Sequence, residues 1–209
     1  MSGHSQNSRW EAYHQKLQGR PARPTLRQAL ELFGQEARPV GADLAVDLGC
    51  GAGNDTLALL ERGWNVVAVD QDPRAIQGLR ASLPPGLQGR LQVQQATFET
   101  LEVPHALMFN ASYSLPFCDP AAFPGLWAQL MERLLPGGRF AGQFFGERDG
   151  WAGRPGMNFH TRAEVEAMCC TLELEHFVEE DEEGPTALGG LKHWHVFHVI
   201  GRRPWDNPS

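Results

Sequence analysis

The 209-residue chain is short of basic charge, of cysteine and of long apolar runs, and each shortage excludes a class of function. Its 18 Lys and Arg stand against 25 Asp and Glu, a formal net charge of −7. Duplex nucleic acid is gripped by a basic face that displaces counterions, and anionic lipid is held by clustered Lys and Arg. Neither a nucleic-acid nor a membrane partner is expected. The four cysteines, Cys50, Cys118, Cys169 and Cys170, form no C-x-x-C pair and no disulfide-scaffold density, which suits a reducing cytoplasm. No apolar run nears the ~20 residues of a membrane span, and the polar opening, residues 1–8, has no apolar h-region of a secretory signal. The expectation is a cytoplasmic monomer or homodimer that works on small molecules.

What is present describes an ordinary core. Hydrophobic residues are 42% and charged residues 21%, the balance of a globular chain, and the length favours one domain over 1–209. Residues 1–9 read as a tail and 10–38 as an N-terminal helical lid: Trp10, Tyr13, His14 and Leu17 share one helical face, and Thr25 caps a second helix that stops at Gly34. From residue 40 to 203 short apolar strands alternate with amphipathic helices. Strands are expected at 44–48, 65–69, 91–95, 106–110 and 139–145, with helices at 54–62, from the Asp72 cap to Leu83, and at 120–135. Pro136-Gly-Gly138 forms the turn before the fifth strand. Such alternation specifies a parallel sheet covered on both faces. Beyond it Thr161 and Glu164 make a capping box for a helix to about Cys170. Strands at 173–180 and 192–202 follow without a helix between them, so they pair antiparallel. The fold class is thus α/β: a doubly wound, Rossmann-like sheet of seven strands, mostly parallel, with strand seven antiparallel and helices on both faces. The acidic run 179–183 reads as a solvated strand end and turn.

The chemistry concentrates in Asp47-Leu-Gly-Cys-Gly-Ala-Gly53, with Asp70 at the end of the second strand. Glycines after a first strand let the backbone turn tightly and approach a ligand, while the next helix offers its free N–H groups. A carboxylate ending the second strand can accept hydrogen bonds from ribose hydroxyls. The pattern therefore points to a nucleoside cofactor. The dinucleotide pattern G-x-G-x-x-G would need its third glycine at Asn54, and no Gly-Lys-Ser/Thr of a phosphate-binding loop follows. Asp47 would repel a phosphate and suits a ligand with an ammonium group.

These residues resemble those of the class I S-adenosylmethionine-dependent methyltransferases, over about residues 40–203. Asp47–Gly53 looks like their motif I, Asp70 like their ribose-binding acid, and Pro136-Gly-Gly138 like the turn before their fifth strand. Size and the aromatic N-terminal helix look most like the tellurite-resistance and thiopurine methyltransferase group. The resemblance implies S-adenosyl-L-methionine as cofactor, S-adenosyl-L-homocysteine as product, and methyl transfer to a soft nucleophile, heteroaromatic or hydroxyl of a small molecule. It implies that Asp47, Gly49, Cys50 and Gly51 line the methionine moiety, that Asp70 holds the ribose, and that Gln71 flanks the adenine. Thr97 and Phe98 stand where these enzymes commonly place an acid for the adenine amino group, with Glu99 close behind. Asn110 would lie beneath the amino-acid end.

Ligand sites in open parallel sheets lie beyond the carboxyl ends of the strands. The aromatics that collect there, Tyr113, Phe117, Phe145, Trp151 and Phe159, with Trp10 and Tyr13 closing over them, would shape an acceptor pocket. A hydroxyl acceptor needs a base, for which His160 and His193 are the candidates. His193 and His195 share a strand face, but His198 points the other way and a metal centre needs three or four convergent ligands, so no metal is expected. Two other readings stay open, a nicotinamide-dependent oxidoreductase on the same scaffold and a cofactor-binding module without turnover.

Overall fold

In the computed structural model, residues 19–36, 41 and 43–206 are described. Seven strands, β1 Leu44–Leu48, β2 Asn65–Asp70, β3 Leu91–Gln95, β4 Ala106–Ala111, β5 Leu134–Phe145, β6 Glu173–Pro185 and β7 Leu191–Arg202, form one sheet in the order β3-β2-β1-β4-β5-β7-β6. The first five run parallel, and β7 lies antiparallel between β5 and β6. Strand order reverses between β1 and β4, the place where such sheets open a crevice at their carboxyl ends.

Among the described residues, five α-helices accompany the sheet: α1 Pro24–Gly34, α2 Asn54–Glu61, α3 Pro73–Ser82, α4 Phe123–Arg133 and α5 Arg162–Met168. Side chains alternate across a strand, and the core divides accordingly. Ala45, Val66, Met108, Ala141 and Ile200 meet Leu26, Leu30 and Phe33 of α1 and Leu59 and Leu60 of α2 on one face. Val46, Phe109, Phe140, Phe144, Phe197 and Val199 meet Phe123, Leu126, Trp127 and Leu130 of α4 and Val165 of α5 on the other. Burying one such side chain stabilises by about 1.5–3 kcal/mol, so both faces are well secured.

Several boundaries fall differently from the sequence reading. Thr25 does not cap α1. Pro24 takes the first helical position and Thr25 turns inward, buried, to accept a hydrogen bond from Gln143 Nε2 at 2.7 Å. The helix expected from Pro120 starts at Phe123, because Asp119 Oδ1 accepts the Ala121 N–H in a turn. Pro136-Gly-Gly138 does not precede β5 but interrupts it. The pairing with β4 jumps from Leu134 to Arg139, and Gly137 and Gly138 bond to Arg203 on the far side. The capping box of Thr161 and Glu164 is present, with α5 ending at Met168. The acidic run does not end β6: the strand continues to Pro185, because Asp181, Glu182 and Glu183 pair in register with His195, Trp194 and His193. Trp10, Tyr13 and the helix expected around them lie outside the described residues.

Candidate functional site

The glycine-rich segment makes the turn between β1 and α2. Gly49, Gly51 and Gly53 all have positive φ, +74°, +49° and +80°, a region that L side chains rarely occupy. Gly49 must also be bare for space, since a Cβ there would stand 2.5 Å from Ser114 Cβ. The Gly49 and Cys50 N–H groups donate to Val69 O, at 2.8 and 2.9 Å, which lashes the turn to β2. Asp70 ends β2 half-buried and accepts from the Gly51 N–H (Oδ2, 2.8 Å) and the Asp72 N–H (Oδ1, 2.9 Å). The carboxylate thus joins the turn to the start of α3, where Asp72 accepts from the Arg74 N–H as its cap. Each carboxylate oxygen has a further lone pair for a ligand hydroxyl. Burial, with the charges of Asp47 and Asp70, pushes the Cys50 thiol up, so it is a neutral wall of the turn.

Beneath the turn lies a buried polar knot that the sequence placed only in part. Asp47, 2% exposed, accepts from Thr56 Oγ1 at 2.5 Å and Asn110 Nδ2 at 2.8 Å. The same Asn110 nitrogen donates to Asp55 Oδ2 at 3.0 Å, and Asp55 Oδ1 accepts the Arg23 N–H at 2.9 Å. Asn110 is wholly buried and serves as the bridge between two carboxylates. Asp47 therefore supports the turn from below more than it lines an open cleft. Burial, then the charge of Asp55, lifts its pKa to about 7 despite the two hydrogen bonds. Asp55 and Thr56 carried no signal beyond an ordinary helix start. Only the register that sets Asp47 beside Asn110 reveals them.

On the β2–β3 side, Gln71 is exposed just past Asp70. Thr97 and Phe98 follow β3, where Ala96 donates to Asp70 O. The Thr97 hydroxyl pairs with Thr100, Phe98 packs partly into the core, and Glu99 Oε1 accepts the Asp119 N–H at 3.1 Å. Hydrogen bonds from Thr97 and the backbone hold Glu99 below the ordinary carboxylate range.

The predicted aromatics do come together, on the α1 face of β5 and β7. The Phe145 ring lies 6.3 Å from Tyr113, 6.3 Å from Phe117, 6.0 Å from Trp151, 6.4 Å from Phe159 and 6.1 Å from Trp194. Tyr113 holds an uncommon φ of +55°, with its N–H on Gln143 Oε1 at 3.0 Å. The centre of the cluster is filled by the chain's own cation. Lys192 Nζ sits 3.5 Å from the Trp194 ring centroid, 4.1 Å from Trp151 and 4.5 Å from Phe145, and pairs with Asp149 Oδ2 at 2.7 Å. Burial lowers the Lys192 pKa, and Asp149 opposes that shift.

Neither predicted histidine reaches this cluster. The His160 ring packs 5.1 Å from Phe123 and 5.9 Å from Phe144, on the opposite side of the sheet from Phe145. Burial lowers its pKa, and its Nε2 has no partner among the described residues. His193 also faces away, with Nε2 2.7 Å from Asp181. His198 is the histidine on the aromatic side, 6.2 Å from Tyr113, and Glu180 does join it. On the far face Glu179, Asp181 and His195 bring ligand atoms within 4.8 Å of one another. There His195 Nδ1 accepts the Arg148 N–H at 3.0 Å, so the ring proton lies on Nε2, toward Glu179. That tautomer leaves Nε2 no lone pair for a cation, and Arg148 already bridges Glu179 and Asp181.

The match to known proteins follows this geometry. Residues 45–138 fit the family model described as a methyltransferase domain, from β1 through the β5 bulge. Residues 45–138 are thus similar to methyltransferase domains. The resemblance to class I S-adenosylmethionine-dependent enzymes, read from Asp47–Gly53 and Asp70, stands with it. A trans-aconitate 2-methyltransferase of Acidovorax sp. is 33% identical over 137 residues, 64% of this chain and 49% of its own. The chain spans about half the length of the relatives it matches in sequence. Among solved structures, TehB from Haemophilus influenzae has a TM-score of 0.69 at 14% identity, covering 85% of this chain and 62% of that one. A Burkholderia thailandensis 1,6-didemethyltoxoflavin-N1-methyltransferase, solved with bound 1,6-didemethyltoxoflavin and S-adenosylhomocysteine, has a TM-score of 0.61 at 22% identity over 97% of this chain and 84% of that one. At such identities the likeness is one of fold. No helix among the described residues is long and apolar enough to cross a membrane.

Proposed function

We propose that the chain acts as a single-domain, S-adenosylmethionine-dependent methyltransferase on a small-molecule acceptor. The observation that carries this reading is Asp70, whose half-exposed carboxylate ends β2 against the turn of three positive-φ glycines. The residues fit the cofactor. Asp70 offers lone pairs for ribose hydroxyls, and an ammonium group above the turn would favour the ionised form of Asp47, which burial and Asp55 otherwise oppose. Ser114 Oγ is buried beside Gly49 with no hydrogen-bond partner among the described residues, as a ligand-facing hydroxyl would be. Gly49, Cys50 and Gly51 would cradle the methionine part, and Gln71, Thr97 and Phe98 would flank the adenine.

When bound, S-adenosylmethionine supplies a methyl group on a sulfonium. The protein's own task is then to align an acceptor and exclude water, for which the rings of Tyr113, Phe117, Phe145 and Trp151 are suited. The net charge of −7 opposes polyanions, so nucleic acid is disfavoured, and sparse cysteine suits a cytoplasmic enzyme. S-adenosylhomocysteine should raise Tm by mass action, whereas NAD should not. Gly49→Ala should abolish the shift, because its Cβ meets Ser114 in a left-handed backbone. Stabilisation by NAD alone would refute the assignment and favour the oxidoreductase reading.

A further inference from the structure

A row of polar side chains crosses the α1 face of the sheet one pleat above its apolar floor. Ala45, Met108, Ala141 and Ile200 form the floor on β1, β4, β5 and β7. Two residues further toward the carboxyl edge of each parallel strand stand Asp47, Asn110 and Gln143, and His198 lies opposite Gln143 on antiparallel β7. The row starts under the glycine-rich turn and ends at Glu180 on β6. Gln143 is its joint: Nε2 donates to Thr25 Oγ1 and lies 3.5 Å from His198 Nδ1, while Oε1 accepts the Tyr113 N–H. His198 Nε2 is 2.9 Å from Glu180 Oε2.

A carboxylate at Nε2 fixes the ring proton there and turns Nδ1 into the basic nitrogen. At 3.5 Å the contact with Gln143 lies beyond a good hydrogen bond, so the Nδ1 lone pair is barely engaged. Resting on the methyltransferase reading above, we infer that His198, oriented by Glu180, is the general base of this site and that the acceptor is a hydroxyl or neutral amine that must lose a proton. The acceptor heteroatom forms its bond to the methyl carbon, the sulfur–carbon bond breaks with its electron pair kept by sulfur, and the acceptor's proton passes to His198 Nδ1. The imidazolium so formed is paired with Glu180 and returns its proton to water. Among the described residues, the charged and titratable groups around His198 are Glu180 and His176 on β6, the Tyr113 phenol with the Arg23 guanidinium over its ring, and Lys192 further along β7, which is paired with Asp149.

Imidazole ¹⁵N NMR of the ligand-free protein, with His198 assigned by the His198→Gln variant, should show the Nε2–H tautomer, and Glu180→Gln should weaken that preference. Methyl transfer should then be measured on a phenol, an aniline, a thiol and trans-aconitate. Transfer to the phenol or the aniline is expected, falling about a hundredfold or more in His198→Gln. S-adenosylhomocysteine affinity should stay within about threefold, which also shows that the variant folds. Glu180→Gln should lower kcat less and move the acid limb of the pH profile, a displacement that a merely structural role would not produce. An Nδ1–H tautomer, transfer confined to thiol or carboxylate, transfer to no probe, or full phenol and aniline turnover in His198→Gln would each overturn the proposal. Failure of the wild-type protein to bind S-adenosylhomocysteine would instead strike the methyltransferase reading itself, whatever the tautomer.

Discussion

The two halves of the sheet solve the same packing problem with different chemistry. In β1–β3 the functional groups are backbone: three glycines, two lashed N–H groups and one carboxylate that ties them together. In β5–β7 they are side chains held across strands, the aromatic cage around Lys192, the Gln143–His198–Glu180 chain and the Arg148 network. A backbone site comes from a few consecutive residues of special φ, whereas a side-chain site needs register between distant strands. The first kind leaves a contiguous mark in a sequence and the second does not.

The largest expected effect tests whether the side-chain half rests on its buried pair. Lys192 and Asp149 are almost fully enclosed, with side-chain exposures of 3% and 0%. Removing one partner of such a pair leaves an uncompensated charge and costs about 3–5 kcal/mol, whereas replacing both is far milder. Lys192→Met should lower Tm by roughly 6–20 °C, and Lys192→Met with Asp149→Asn should recover part of the loss. Equal melting of wild type and single variant would show that the cage contributes no stability.

That difference also explains what was legible. The D-x-G-x-G-x-G run, Asp70 and the Asp72-Pro73 helix start are local, and the structure has them within a residue of where the sequence placed them. The mostly parallel sheet and the antiparallel β7 followed from alternation and from the missing helix before it, whereas the strand order is visible only in the structure. Residue type alone points to His160 and His193 as bases. Which face each occupies depends on the pleat of β5 and on the β6–β7 register, neither of which composition encodes. His198 fails as a third metal ligand because it faces away from His193, and that same property places it beside Tyr113. The acidic run looks like a turn because its partners, Arg148, His193 and His195, lie 10 or more positions away.

On the backbone half the next effect is one of affinity. Asp70→Ala removes the acceptor of both the Gly51 and Asp72 N–H groups and the proposed ribose contact. Hydrogen bonds to a charged group contribute about 1.5–3 kcal/mol each, so calorimetry should find S-adenosylhomocysteine bound at least about tenfold more weakly. An unchanged Kd would place the ribose elsewhere.

A smaller effect separates the halves by pH. Asp47 keeps its proton to about pH 7 in the folded chain, against an ordinary value of 3.8. Between these values the native state binds more protons than the unfolded one, so this contribution is complete at low pH and is lost as pH rises through about 7. The ligand-free protein should melt lower at pH 8 than at pH 5.5. Asp47→Asn should flatten that slope, since an amide can still accept from Asn110 and pair with Thr56. Parallel pH profiles for the two proteins would mean that Asp47 is ionised throughout.

The smallest effect belongs to the rim of the side-chain half. Arg162 bonds Glu166 one helical turn away at 2.8 Å and Glu179 on β6 at 3.0 Å, and lies over the Phe177 ring, with its own side chain 54% exposed. Its guanidinium shares Glu179 with Arg148 and His195, and those neighbours keep the carboxylate paired when Arg162 is removed. Exposed pairs gain little over hydration and are screened by salt, which is the reverse of the Lys192 case. Arg162→Ala should therefore shift Tm by less than about 3 °C, with the difference shrinking further at high ionic strength. A loss comparable to that of Lys192→Met would mean that the β6–β7 hairpin is held from its rim and not from the caged lysine, and the contrast between buried and exposed charge in this half would collapse.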